Sequence, residues 1–306
     1  PTRFCWIFKP MCTIAFALQP TPAIALLVAA NRDETRSRPT RSAGVWRDEA
    51  GRQILSGRDL QDGGTWMGCA DNGRVALLTN IRPSDAAPRT FARSRGELCA
   101  NWLRGGSLAT WRASHRGDDF GGCNVVLGTL APSSDEPAWW FLRNQVGAPT
   151  ESDGSPQTLD ETGWLSRPLG PGTYVVSNDN LDTPWPKALA MKEAMRLATH
   201  ALPTRGDACD GPAPETQQAL LAALQDRQTY APTEQAMGPF DHVGLTALSA
   251  CFVDWQARDY GTRSSSLLWA TTSQFTMREW CYDATGMPMG GGGAAQTLAC
   301  LPTTPR

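Results

Sequence analysis

The chain has 306 residues, 41% of them hydrophobic and 19% charged, with 28 Lys and Arg against 30 Asp and Glu, a formal net charge of −2. That is enough apolar material for a substantial core, and the charge balance excludes the strongly basic character with which proteins engage nucleic acid or an anionic membrane surface. The longest apolar run, Ala23 to Ala30, has the length of a strand, far short of the roughly 20 residues that span a bilayer.

At the N-terminus, Arg3 and Lys9 precede an apolar stretch as in a signal peptide. Pro10 interrupts it, however, and Ile14 to Leu18 is shorter than the ~7–15 residues of a signal h-region. Residues 12–18 and 23–30 read as two strands joined by Gln19-Pro20-Thr21-Pro22. Strands follow at 54–55, 65–69 and 75–79, punctuated by Asp62-Gly63-Gly64 and by the hairpin signal Asp71-Asn72-Gly73. Residues 93–112 are helical in composition and broken at Gly105-Gly106. Residues 124–130 and 139–143 form a strand pair, 148–172 a long Pro/Gly/Ser/Asp-rich surface excursion, and 173–177 a short strand. Ala188, Met191, Met195, Ala198 and Leu202 recur at spacings of three and four, which predicts a helix whose methionines pack in the core. A second helix covers about 215–228, strands lie at 247–255, 265–272 and 274–282, and the Gly290–Gly293 run opens an unstructured tail. Strands that cluster, rather than alternate with helices, predict an α+β architecture of mostly antiparallel sheets in layers.

Nine cysteines, an odd number without C-x-x-C spacing, argue against a disulfide framework or a zinc ribbon and suit a reducing cytoplasm. The three histidines, His115, His200 and His242, lie in no metal or triad motif, so chemistry in this chain does not rest on a Ser-His-Asp relay. The alternative begins at Met11-Cys12. If translation starts at Met11 and that residue is removed, Cys12 carries both a thiol and an α-amine. An α-amine titrates near ~8 and can take the thiol proton, so one residue supplies nucleophile and base. Residues 1–10 then form an extension upstream of the true start.

Other polar groups sit where such chemistry would need them. Asn31-Arg32-Asp33-Glu34 falls where the second strand is expected to end, and a carboxylate there could hold the Cys12 ammonium. Asn80 and Asn178 each follow an apolar strand and could donate to an oxyanion. Arg263, in Gly261-Thr262-Arg263, could bind a carboxylate of the substrate or of Asp33. Trp66, after Gly63-Gly64-Thr65, could form a pocket wall. There is no glycine-rich phosphate loop of the dinucleotide or P-loop type.

Met11-Cys12, Ala29-Ala30-Asn31-Arg32-Asp33-Glu34, Ser56-Gly57-Arg58-Asp59, Gly63-Gly64-Thr65-Trp66-Met67-Gly68, Leu78-Thr79-Asn80, Ser94-Arg95-Gly96-Glu97-Leu98, Ser177-Asn178 with Thr183-Pro184-Trp185, and Gly261-Thr262-Arg263 together resemble the NRDE family, also called the transport and Golgi organisation protein 2 family. The resemblance covers residues 11–282 as a single domain and leaves 283–306 as a disordered tail. It implies an N-terminal-nucleophile hydrolase-like fold, a four-layer αββα sandwich of two mostly antiparallel sheets. A more distant similarity to the choloylglycine hydrolase group implies Cys12, Asp33, Asn80, Asn178 and Arg263 as catalytic residues, with Asn31, Arg32 and Trp66 binding substrate. That group has an arginine directly before its Asn-x-Asp, where this chain has Ala30. The implied activity is hydrolysis of a non-peptide amide or thioester of a small molecule, without cofactor. The family's association with haem trafficking implies as alternative a non-catalytic carrier of haem or an acyl metabolite. Nothing in the sequence sets the oligomeric state.

Overall fold

The structure, a computed structural model, describes residues 12–81, 90–130, 132, 137–146, 158–204, 211–231, 242–271, 273–290 and 292–300. Strands β1 (Thr13–Leu18) and β2 (Leu26–Thr35) open a first sheet. The chain then builds a second sheet as an unbroken meander: β3 (Thr40–Arg47), β4 (Gln53–Asp59), β5 (Met67–Ala70), β6 (Arg74–Asn80), β7 (Cys123–Thr129), β8 (Trp139–Arg143) and β9 (Leu165–Pro168). Helices α1 (Gly96–Arg104) and α2 (Leu108–Ser114) interrupt it between β6 and β7. Strand β10 (Gly172–Val176) returns to the first sheet. Helices α3 (Pro186–His200), α4 (Pro214–Leu224) and α5 (His242–Ala247) follow, then β11 (Asp254–Trp255), β12 (Tyr260–Ala270), β13 (Gln274–Cys281) and β14 (Ala295–Ala299). The first sheet runs β10-β1-β2-β12-β13-β14, with β11 on β12, and every pairing in both sheets is antiparallel.

Alternation along the strands sorts side chains into layers. Ile14, Phe16 and Leu18 of β1 and Leu26, Val28 and Ala30 of β2 point between the sheets. There they meet Leu55, Met67, Val75, Leu77, Val126 and Phe141 of the second sheet. Ala15, Ala17, Leu27 and Ala29 point the other way, onto Met191, Met195, Leu220 and Leu224 of α3 and α4. On the outer face of the second sheet, Ile54, Ala76 and Leu78 pack against Leu98, Trp102 and Leu103 of α1 and Trp111 of α2. Helices, sheet, sheet, helices is the four-layer αββα order expected of an N-terminal-nucleophile hydrolase-like fold. Among the described residues no helix is long and apolar enough to cross a membrane.

Several expectations need correction. Strand β2 does not end at Ala30; it continues through Asn31-Arg32-Asp33-Glu34, paired with β12 and buried on both faces. The strand expected at 265–272 begins earlier: Tyr260 to Ser264 already belong to β12. The expected strand at 247–255 is reduced to β11, preceded by α5. The described part of the 148–172 excursion contains β9 and the fully buried Trp164, whose Nε1 donates to His115 O at 2.6 Å. The stretch read as an unstructured tail adds β14 to the edge of the first sheet, where Leu298 closes the inter-sheet core. Residues 1–11 and 301–306 lie outside the described residues.

One close approach places α1. A Cβ on Gly64 would lie 2.4 Å from the Gly96 carbonyl carbon, and Thr65 N donates to Gly96 O at 3.1 Å. Glycine at both positions lets the two backbones touch, and this fixes the start of α1, with Arg95 just before it, against the Gly63–Gly64 turn.

Candidate functional site

Cys12 stands one residue before β1, and by period two its side chain shares the inter-sheet face of Ile14 and Phe16. The thiol is buried and lies within electrostatic reach of Asp33, Arg32 and Glu34. Burial first, then the Asp33 charge, pushes its pKa up to about 12, so in a peptide-bonded Cys12 the thiol stays protonated near neutrality. The carbonyl of Cys12 accepts from Ser177 Oγ at 2.9 Å, and Thr13 Oγ1 meets the same hydroxyl at 3.2 Å.

Asp33 lies across the end of β1, but alternation along β2 puts its carboxylate on the helix side of the sheet, with Ala29 and Asn31. There Thr262 Oγ1 donates to Oδ1 at 2.6 Å while accepting from Val253 N at 2.9 Å, and Lys187 of α3 is the strongest charge in reach. The other oxygen, Oδ2, is buried and has no hydrogen-bond partner. Burial raises the pKa of Asp33 from 3.8 to about 7, against the pull of Lys187 and the Thr262 hydroxyl. Thr13 stands opposite Asn31, so Cys12 falls opposite Arg32, next to Asp33, with the thiol on one face of the sheet and the Asp33 carboxylate on the other.

Arg263 does not pair with Asp33. It is the extra residue of a β-bulge: Thr262 sits opposite Asp33 and Ser264 opposite Arg32, leaving Arg263 out of register. Its Nη1 donates to Thr35 O and Arg38 O, both at 3.0 Å. The bulge turns Thr262 onto the helix side. Without it, alternation from Ser264 would place Thr262 on the inter-sheet face.

The two asparagines meet. Asn178, just beyond β10, donates Nδ2 to Asn80 O at 2.8 Å and accepts at Oδ1 from Ser177 Oγ at 3.0 Å. Ser177 thus links Cys12 to Asn178, and Asn178 links the first sheet to the end of β6. Asn124 of β7 buttresses this joint, donating to Asp179 O at 2.6 Å.

Arg32 and Trp66 also come together. The Arg32 guanidinium lies 4.1 Å from the Trp66 ring centre, donates to Thr40 Oγ1 at 2.9 Å and reaches Asp59 at 3.3 Å. Arg38 binds the same Asp59 oxygen at 2.6 Å, and Glu34 lies 3.7 Å from Arg38. Asn31 turns away: its amide donates to Leu224 O at 2.7 Å and Cys251 O at 2.9 Å, and its oxygen accepts from Ser265 Oγ at 2.6 Å. It ties β2 to α4 and does not face the space at Cys12.

Thus Cys12, Asp33, Asn80 and Asn178 gather at one end of β1, with Arg32, Trp66 and Arg263 beside them. Sequence reasoning missed Thr262, Ser177, Lys187 and Arg95. Ser177 and Thr262 were visible only as neighbours of residues already chosen. Lys187 gave a signal in being the buried lysine of an apolar helix face. Arg95 gave none beyond its place before Gly96. Among the described residues there is no group of three His, Cys, Asp or Glu side chains that could hold a metal ion.

Comparison with known proteins agrees with the sequence resemblance. The model of the family described as Transport and Golgi organisation 2 matches residues 11–283. The Transport and Golgi organization protein 2 homologs of Bos taurus and Homo sapiens are each 30% identical, over 270 and 271 residues, covering 84% of this chain and 88% of theirs. Among solved structures, the Caenorhabditis elegans ortholog of N-acylethanolamine-hydrolyzing acid amidase aligns with a TM-score of 0.44 at 11% identity, over 84% of this chain and 92% of that one.

Proposed function

The chain belongs to the Transport and Golgi organisation 2 family, and we propose that its inter-sheet site is that of an N-terminal-nucleophile cysteine amidohydrolase acting on a non-peptide amide or thioester of a small molecule. The observation that supports this reading is the position of Asp33 beside Cys12 at the start of β1. A buried carboxylate with one oxygen unsatisfied lies at the start of β1, where a chain beginning at Cys12 would place an ammonium. Such a buried charge is costly alone and favourable when paired.

In this mechanism the Cys12 α-amine takes the thiol proton, and the sulfur attacks the acyl carbon, forming a C–S bond as the carbonyl π electrons move to oxygen. The tetrahedral intermediate collapses with cleavage of the bond to nitrogen or sulfur, and the leaving group takes the proton from the α-ammonium. Water then attacks the thioester with the amine again as base, releasing the carboxylic acid and the thiol. Asp33 holds the ammonium, and Asn80, braced by Asn178, serves the oxyanion. Arg263, fixed by two carbonyls, supplies positive potential, and Arg32 stacked on Trp66 forms the wall of the substrate site.

The high pKa of the Cys12 thiol supports a second reading for a chain that keeps its leading residues: a non-catalytic carrier of haem or an acyl metabolite in the same space. Intact mass of the native protein identifies its first residue. A chain beginning at Cys12 is then assayed on a panel of acyl p-nitroanilides and acyl thioesters. The hydrolase reading expects turnover that is lost in Cys12→Ala. Turnover unchanged by that substitution sinks it, and saturable haem binding without turnover selects the carrier.

A further inference from the structure

Arg95 is the group at this site that the mechanism leaves unused. The residue precedes α1, is held by the Gly64–Gly96 contact, and lies within electrostatic reach of Cys12, Cys123, Glu34 and Arg38. Its surroundings are unlike those of the other arginines here. Arg32 has Asp59, Thr40 and the Trp66 ring, Arg38 has Asp59 and Asp62, and Arg263 has two backbone carbonyls. Among the described residues Arg95 has a single long contact, Nη1 to Gly122 O at 3.4 Å, and that carbonyl already accepts from Ile81 N at 2.9 Å. No carboxylate among the described residues lies within ion-pair distance of it.

A guanidinium carries five donors in a rigid fork that matches a carboxylate, and the half-buried Arg95 keeps most of them without a protein partner among the described residues. Desolvation lowers its pKa. Gly122, whose carbonyl Arg95 touches, leads directly into Cys123, which stands opposite Asn80, and Cys12 is within electrostatic reach. An anion held by Arg95 would therefore lie at the same end of the sheets as Asn80 and the sulfur.

We propose that Arg95 is the receptor for a carboxylate on the substrate, so that the site selects amides or thioesters carrying a free carboxylate a short distance from the scissile carbonyl. This rests on the hydrolase reading for the reaction but not for the binding, and the two separate experimentally. The binding arm titrates the 306-residue Cys12→Ala protein, by calorimetry, with adipoyl p-nitroanilide and its neutral analogue hexanoyl p-nitroanilide. The same titrations are made with Arg95→Gln and Arg95→Lys added, each variant checked for native circular dichroism. The expected result is at least about 10-fold tighter binding of the adipoyl compound, lost in Arg95→Gln and partly kept in Arg95→Lys, since a fork-shaped charge-assisted pair is strong but lysine retains the charge. Equal binding of the two compounds, or a preference that survives Arg95→Gln, overturns the proposal. The kinetic arm measures the ratio of kcat/KM for the two compounds in chains beginning at Cys12. Discrimination in binding without turnover removes the hydrolase and keeps the carboxylate receptor; turnover without discrimination removes the receptor and keeps the hydrolase.

Discussion

Thr262 Oγ1 donates to Asp33 Oδ1 at 2.6 Å, across a register break that leaves Arg263 out of the ladder. The bulge puts two neighbours on different tasks: Thr262 turns toward the helix layer to hold the carboxylate, and Arg263 reaches back to the carbonyls of Thr35 and Arg38. A regular β12 would offer Asp33 no hydroxyl at this position. The bulge is therefore a device of the site rather than an irregularity of the sheet.

Thr262→Val keeps the shape and removes the hydroxyl that serves both Asp33 Oδ1 and Val253 N. Two buried polar groups lose a partner, at roughly 1–3 kcal/mol each. We expect a loss of about 2–5 kcal/mol in urea unfolding at pH 7, with most of it restored in Thr262→Ser. A loss below about 1 kcal/mol would show that the hydroxyl does not hold Asp33.

Asp33 gives the 306-residue chain a specific pH dependence. Its folded pKa, about 7, is raised from 3.8, so the folded state binds the proton more tightly than the unfolded state. The resulting stability is complete below about pH 4 and is lost as pH rises through 7, by up to roughly 4 kcal/mol at 1.36 kcal/mol per unit. Asp33→Asn, which keeps the acceptor for Thr262, is expected to flatten the profile between pH 4 and 8 and to be the more stable protein at pH 8. Parallel profiles for the two proteins would contradict the shift. In a chain beginning at Cys12 the ammonium pairs with Asp33, and the wild-type slope itself should shrink.

Much of this was legible in the sequence. The apolar spacing of α3, the hairpins and the clustering of strands stand out from pattern, and Cys12, Asp33, Asn80 and Asn178 from motif. What pattern could not show is that Asn31–Glu34 and Thr262–Ser264 are strand. Both stretches are polar, and periodicity takes polar runs for loops. They are buried because their partners are polar as well: Asn31 with two helix-end carbonyls and Ser265, Asp33 with Thr262, Arg32 with Asp59 and Thr40. Those partners are distant in sequence, and only the closed sandwich brings them within hydrogen-bond reach. Arg95 was hidden for a related reason, since its place depends on the Gly64–Gly96 contact between separate elements.

That contact makes a prediction of its own. A Cβ on Gly64 would meet Gly96 backbone atoms at 2.4–2.7 Å, and backbone has no flexible end to move aside. Gly64→Ala is expected to cost about 2–4 kcal/mol and to displace α1. Gly44 on β3 has nothing within 4 Å of its Cβ position, and Gly44→Ala is expected to be neutral or slightly stabilising, within about 1 kcal/mol. Thermal unfolding of the two variants side by side checks the contrast; equal effects would mean that the close approach does not constrain the fold.

The last prediction concerns Cys12 itself. In the 306-residue chain burial and the Asp33 charge push its thiol up to about 12 and keep it protonated. The thiolate is the reactive form, so alkylation by iodoacetamide at pH 7.5 should be slow and should rise with pH without levelling off below pH 10. Beginning the chain at Cys12 places an ammonium beside both the thiol and Asp33. It neutralises the carboxylate's field and stabilises the thiolate directly, the two changes acting in the same direction. Alkylation of Cys12, followed by peptide mass mapping to separate it from Cys69, Cys99, Cys123 and Cys251, is then expected to be at least about 100-fold faster at pH 7.5 and to level off near the pKa of the amine. Asp33→Asn in that shorter chain should shift the plateau, because the ammonium loses the carboxylate that holds it. Equal rates in the long and short chains would mean that the α-amine does not act on the thiol, and the nucleophile-and-base role of Cys12 would fall with it.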